Sequence, residues 1–417
     1  MKRWLLTALM VATMMVAGTA GGLVQAGSGT IRLVDGDGRA AKGDCDADAP
    51  AYREIQAAID DSDLGDRTLV CPGTYTEALI VSGRQAFTHG PPCDLKIRAT
   101  GGQRPVIRAP RVLPRASRGA VIRVQDFRDI CGGTLTMSGF RVQPHGGSGD
   151  CRPPDLISVL RASLSLRDMR LVAARPHGSS CGSYRRGVDF DGDSDNAFLN
   201  VTDSVLRDFS EAGITANNPF GGTGAIRNRF VLRNTVPDPG VVPTAISFGA
   251  GVVLDNVIVS KHGAPSIGGI EAGPTDLGST IETNVISGAA WGIRAGGCGT
   301  ISGNVLLGVH DPLPGHGLVV RSGDCNSGEG GRIRDNIVSG FAKAGIAIRD
   351  FASCLGCGTG SSDGDLGIVI EDNDLRGNRG VDCVDATHGS GSMGTANIWR
   401  RNLGFESNPR GICMPAL

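Results

Sequence analysis

The chain has 417 residues, a formal charge of −1 at pH 7, and no basic stripe or charge block. That balance argues against nucleic acid as a partner. Its 64 glycines, more than twice ordinary usage, are spread along the whole length, which points to one elongated domain punctuated by turns.

In chain order, the first element is a secretory signal. Lys2 and Arg3 form a short basic region, Trp4 to Ala17 an apolar run, and Val24-Gln25-Ala26 a small–x–small cleavage site before Gly27. Residues 1–26 are therefore read as a signal peptide and 27–417 as a single mature domain. No later stretch approaches the ~20 apolar residues of a membrane span, so a secreted, monomeric protein is expected. Twelve cysteines fit that compartment, since disulfides persist outside the reducing cytosol.

Next, Tyr52 to Asp63 reads as a short amphipathic helix with Ile55, Ala58 and Ile59 on one face. It is followed by Gly65-Asp66-Arg67-Thr68-Leu69-Val70-Cys71-Pro72-Gly73-Thr74-Tyr75-Thr76-Glu77.

From there a repeat dominates. A unit Ile-x-x-Asn-x-(Ile/Leu/Val)-x-Gly recurs at Ile281-Asn284-Ile286-Gly288, Ile301-Asn304-Leu306-Gly308, Ile333-Asn336-Val338-Gly340 and Ile370-Asn373-Leu375-Gly377. A weaker copy is Val253-Asn256-Ile258, and Leu135-Ser138-Phe140 and Val201-Ser204-Leu206 are echoes without Asn. A second run that opens Gly-Ile or Gly-Leu follows at Gly213, Gly269, Gly292, Gly317 and Gly345. Period-two alternation argues for strands with one buried face. The irregular spacing suits coils with variable loops: stacked short parallel strands sharing one core, roughly a dozen rungs at ~4.8 Å each. An inward Asn at Asn284, Asn304, Asn336 and Asn373 would then form a ladder that satisfies turn backbone. Gly before each second strand would supply positive φ or a corner with no room for a Cβ.

These repeats, together with Ile55-Gln56-Ala57-Ala58-Ile59-Asp60 and the Pro72 to Glu77 segment, resemble the right-handed parallel β-helix repeats of pectate-lyase-like proteins. The resemblance covers nearly the whole mature chain. It implies an all-β, single-stranded right-handed parallel β-helix whose short N-terminal helix caps the first coil, and it is almost silent about chemistry.

Repeat position also suggests cysteine pairs: Cys151 with Cys181, Cys298 with Cys325, Cys383 with Cys413, and Cys45 with Cys71. Cys354-x-x-Cys357 reads as a structural bridge, because zinc would need a second pair at suitable spacing.

For chemistry, the run from Arg185 to Asn196 stands out. Asp189, Asp191, Asp193 and Asp195 alternate, crowding charge that a bound Ca²⁺ would relieve; a solvated acidic loop is the competing reading. With calcium neutralising a sugar carboxylate, Arg186, Arg207 or His177 could abstract the acidified C5 proton of a uronate, similar to calcium-dependent pectate lyases of this fold. The stretch from His310 to Arg321 contains Gly-His-Gly followed by an arginine and resembles part of a polygalacturonase site, but lacks the paired aspartates of that mechanism. Six of seven histidines precede glycine, so His316 reads as a turn residue rather than a catalytic one. Two functions stay open: an enzyme acting on acidic polysaccharide, lyase-like and calcium-dependent, or a non-catalytic extracellular scaffold. The scarcity of amphipathic rings (Trp291, Trp399, Tyr52, Tyr75, Tyr184) favours the second.

Overall fold

The computed structural model describes residues 29–63, 65–83, 94–126, 133–145, 155–173, 185–192, 197–217, 222–232, 242–261, 267–273, 278–296, 299–308, 315–321, 331–349, 367–388 and 391–414. Residues 1–26, read above as a signal peptide, lie outside them, as do Cys151, Cys181, Cys298, Cys325, Cys354 and Cys357.

Parallel strands wind into a three-sided solenoid. The first face is a 13-stranded sheet running from Ile31–Val34 to Ile398–Arg400. The second runs from Thr74–Thr76 to Ile337–Ser339, and the third from Leu79–Ser82 to Ser407–Asn408. Faces two and three merge in the 12-residue strand Val285–Gly296, which pairs with neighbours on both. Its register shifts in the middle, and there the chain turns the corner. Connections between parallel strands adopt the right-handed sense. The chain is thus the right-handed parallel β-helix its repeats suggested.

Core columns follow from register. On the third face Val188, Ile214, Ile246, Ile270, Ile293, Leu318 and Ile346 stack rung on rung, each fully buried. Each such side chain contributes about 1.5–3 kcal/mol of burial relative to exposure. No coil could bury its apolar side alone, so the columns also hold the rungs in register.

The turn between faces one and two carries the asparagine ladder. Asn284 N and Nδ2 both donate to Asn304 Oδ1 (3.0 Å each), and Asn304 repeats this on Asn336 (3.0 and 2.9 Å). The ladder extends to Asn228 and Asn402, which the repeat pattern did not include. Ser204 closes it by donating its N–H to Asn228 Oδ1. Nearer the N-terminus, Met169 and Phe140 take the same position; the true third-rung copy is Met137-Phe140-Val142, two residues later than the Leu135 echo. A two-residue slip preserves which side chains face inward, so alternation could not settle it. Before each ladder residue comes a left-handed one, Asp203, Asp255, Asp335 and Asp372 among them, with φ between 52° and 57°. Asp tolerates that conformation better than most residues.

The glycines that open the third-face strands are crowded rather than left-handed. A Cβ on Gly292 would lie 2.3 Å from Gly317 O, and one on Gly317 would lie 2.0 Å from Val338 Cγ1.

Both ends are closed. The helix spans Ile55–Asp60, shorter than the predicted stretch, and buries Ile55, Ala58 and Ile59 in the core. Glu77 accepts the Ile55 and Gln56 N–H groups (2.9 and 2.8 Å), while the Gln56 amide pairs with Ile80 N and O like a short strand. Those bonds give the Ile55-Gln56 and Pro72-to-Glu77 motifs their physical sense. Disulfides Cys45–Cys71 and Cys383–Cys413 staple the two ends as expected, with Cα separations of 5.7 and 6.2 Å. Near the C-terminus Trp399 is buried, donating Nε1–H to Asp385 at 2.7 Å.

Candidate functional site

On the third face the inward positions are committed to the core, apart from Asp385 near the C-terminus, which is held by Asn397 and Trp399, so chemistry is left to the outward rows. One row carries Asp155, Arg186, Ala212, Thr244, Trp291 and His316 on successive or near-successive rungs. Charge collects at two places along it.

The first lies at the rungs of Asp155 and Arg186. Arg186 forms an ion pair with Asp189 three residues on, and its Nε donates to Glu211 at 3.0 Å; Arg185 reaches Glu211 at 2.6 Å. Burial works against the Arg186 charge, but Asp189, Asp155 and Glu211 outweigh it and hold the guanidinium protonated beyond its ordinary range. Asp155 is pushed up to about 6 by burial and then by Asp189, with Arg186 and Arg185 opposing, and its Oδ1 has no hydrogen-bond partner. A permanently charged Arg186 suits gripping an anion better than taking a proton. Arg207 ends a second-face strand, Val205–Arg207, across the corner from this cluster. Of the alternating aspartates, Asp189 and Asp191 do share the outward side of one strand, Arg186–Asp191, but Asp189 is already neutralised by Arg186. His177, Asp193 and Asp195 lie outside the described residues. Among the described residues no three His, Cys, Asp or Glu side chains are grouped to hold a metal ion.

The second place, five rungs further and so about 24 Å away, centres on His316. Contrary to the turn reading, His316 is the first residue of the strand His316–Arg321, with no left-handed φ. Nor are His145 and His388, the other described His-Gly histidines, left-handed. Gly317 follows His316 because of the packing constraint above, not because of a turn.

Arg349 Nη2 lies 2.8 Å from His316 Nε2. A guanidinium has no acceptor, so Nε2 must accept, which makes the imidazole the neutral Nδ1–H tautomer. Its pKa is pushed down to about 4, by burial first and then by the charges of Arg349, Lys343 and Arg294. Nδ1 itself is buried without a hydrogen-bond partner. Arg294 stacks 4.0 Å above the Trp291 ring, and burial lowers its pKa, with Glu271 opposing and Arg321 and Arg349 adding repulsion. Trp291 is only 6% exposed; its indole lies against Gly268, where a Cβ would come within 2.2 Å of Cζ2. The ring supports Arg294 and does not offer an open stacking platform. Tyr75 and Trp399 are buried as well.

The result is a half-buried neutral imidazole set among three cations, Arg294, Lys343 and Arg349, with Arg321 adding its charge at Arg294 and Glu271 in register beside Arg294. Such an arrangement can bind a carboxylate and accept a proton beside it. Sequence reading undervalued His316 because its defining partner lies 33 residues away.

No family model matches the chain, and no curated protein matches it. Among solved structures it is similar to the periplasmic alginate epimerase AlgG, at 11% identity and a TM-score of 0.39 over 76% of this chain and 73% of that one. It is also similar to the pectate lyase Pel9A, at 13% identity and a TM-score of 0.32 over 91% and 75%. Among the described residues no helix is long and apolar enough to cross a membrane.

Proposed function

We propose that this chain is an exported β-helix protein that binds acidic polysaccharide along its third face and transfers a proton at His316. The observation that carries this is the hydrogen bond from Arg349 to a neutral His316 inside a cluster of cations. A uronate carboxylate entering the cluster would pair with Arg349 and draw it from Nε2. The same charge neutralisation acidifies the sugar C5–H and raises the basicity of the imidazole. Nε2 then takes the C5 proton, and the bonding electrons delocalise into the carboxylate. Expulsion of the C4 oxygen, which takes the proton back from the imidazolium, completes a lyase reaction; delivery of a solvent proton to the opposite face, with the imidazolium losing its own to water, completes an epimerisation. Export is supported by the basic-then-apolar N-terminus and by the disulfides at both ends.

Here guanidinium groups supply the positive charge that calcium would bring. A calcium requirement would instead belong to the acidic run beginning at Asp189. The buried rings favour a second reading, a non-catalytic extracellular scaffold.

One experiment separates them. The purified protein is incubated in D₂O with polygalacturonate, alginate or a glycosaminoglycan, with and without Ca²⁺. Unsaturated uronate is followed by absorbance, and deuterium at C5 by NMR. C5 deuterium or unsaturated uronate from at least one acidic polymer, and neither from a methyl-esterified pectin, is expected. No exchange and no unsaturation in any polymer would leave the scaffold.

A further inference from the structure

Arg123 is the one arginine among the described residues that is buried, at 4% exposure. It sits on an outward row of the third face, between Ile80 and Ser158 in register. Two other shielded arginines hold carboxylates: Arg32 has Asp66 at 3.1 Å, and Arg186 has Asp189 and Glu211. Arg123 has none. Its Nε donates to Gln125 Oε1 at 2.7 Å, and Asp126, the nearby carboxylate, is engaged by Arg161. Arg118, held at a left-handed φ of 47°, adds a like charge. Burial, and then Arg118, push the Arg123 pKa down, with Asp126 opposing.

A guanidinium largely shielded from water, whose nearest carboxylate is already engaged by another arginine, is unfavourable. The hydrogen bond to Gln125 fixes the Nε edge, and the Nη1–Nη2 edge carries no hydrogen bond among the described residues. That edge has the fork geometry that grips an oxyanion with two parallel bonds.

We propose that Arg123, oriented by Gln125 and assisted by Arg118, is a binding site for a single oxyanion, a carboxylate or an inorganic sulfate. It lies seven rungs from His316, about 34 Å at the usual rung spacing, and does not depend on the reading of that residue.

The test compares the full chain with Arg123→Met and Arg123→Lys by thermal unfolding and calorimetric titration. Media are sodium chloride, sodium sulfate and sodium galacturonate at matched ionic strength. Sulfate or galacturonate should raise the wild-type melting temperature by several degrees more than that of Arg123→Met, and titrate with one site. Arg123→Lys, which keeps the charge without the fork, should bind at least tenfold more weakly. In chloride alone Arg123→Met should melt no lower than wild type, because it removes an unpaired buried charge. A response to sulfate alone identifies a small-anion site; a response to galacturonate identifies a uronate carboxylate. If the anions shift all proteins equally, the proposal is overturned, whatever Arg123→Met does in chloride. Should Arg123→Met not fold, Arg118→Gln replaces it, and unchanged anion affinity in that variant and in Arg123→Lys overturns the proposal equally.

Discussion

His316→Gln is expected to lower turnover of the acidic polymer by about 10²- to 10⁴-fold, the usual contribution of a positioned general base. The amide can still accept from Arg349, so the strand and the cation cluster should survive, and the unfolding free energy measured in urea should stay within about 0.5 kcal/mol of wild type. Binding of an acidic oligosaccharide should change little, because the cations that grip it remain. Arg349→Gln should do the opposite in part. It removes a carboxylate partner and weakens binding, and it also leaves Nε2 without the contact that keeps the ring in its reactive tautomer. Initial rates of C5 deuterium exchange and of unsaturated-uronate formation, with oligosaccharide affinity measured in parallel, check both. Exchange that persists at wild-type rate in His316→Gln removes this residue from the chemistry.

The largest expected effect on stability lies in the asparagine ladder. Asn304→Ala deletes an acceptor for Asn284 N and Nδ2 and a donor to Ile281 O and Asn336 Oδ1, all between 2.9 and 3.0 Å and all buried. Each orphaned buried group costs about 1–3 kcal/mol, so a loss of about 3–5 kcal/mol is expected once partial relaxation is allowed. Asn304→Ser should lose less, since Ser204 already fills the equivalent position at the ladder's end. Asp335→Ala, at the exposed left-handed residue just before Asn336, should cost about 1 kcal/mol, mostly from the conformation that Ala tolerates less well than Asp. Denaturant midpoints of the three variants check the order. Equal effects from Asn304→Ala and Asp335→Ala would mean that the ladder is not carrying the stack.

How much of this was legible in the sequence can be followed position by position. Asn284, Asn304, Asn336 and Asn373 announced themselves because each has an aliphatic residue three before it, which the turn geometry repeats. Asn228 and Asn402 hid because that slot holds Ala225 and Trp399 instead, a small and a large residue that still fit the same buried column. The left-handed aspartates were missed since exposed Asp before Asn reads as ordinary loop composition. The acidic run from Asp189 was found as a pattern, but its neutralisation by Arg186 depends on two strand side chains pointing the same way, which spacing alone does not give. His316 was misplaced for a similar reason. His-Gly looks like a turn locally, whereas the glycine answers to Val338 and the imidazole to Arg349, each from a later coil. In a solenoid, local pattern encodes the rung, and the site is assembled between rungs.

The most direct measurement follows the imidazole of His316 itself by NMR pH titration, with and without a saturating oligogalacturonate. The free protein should titrate near pH 4, because burial and the Arg349, Lys343 and Arg294 charges disfavour the imidazolium. With the acidic oligosaccharide bound, the midpoint should rise by at least one unit toward the ordinary 6.5, since carboxylates then cancel that field. A midpoint near 6.5 in the free protein, or one that the oligosaccharide leaves unmoved, would contradict the account.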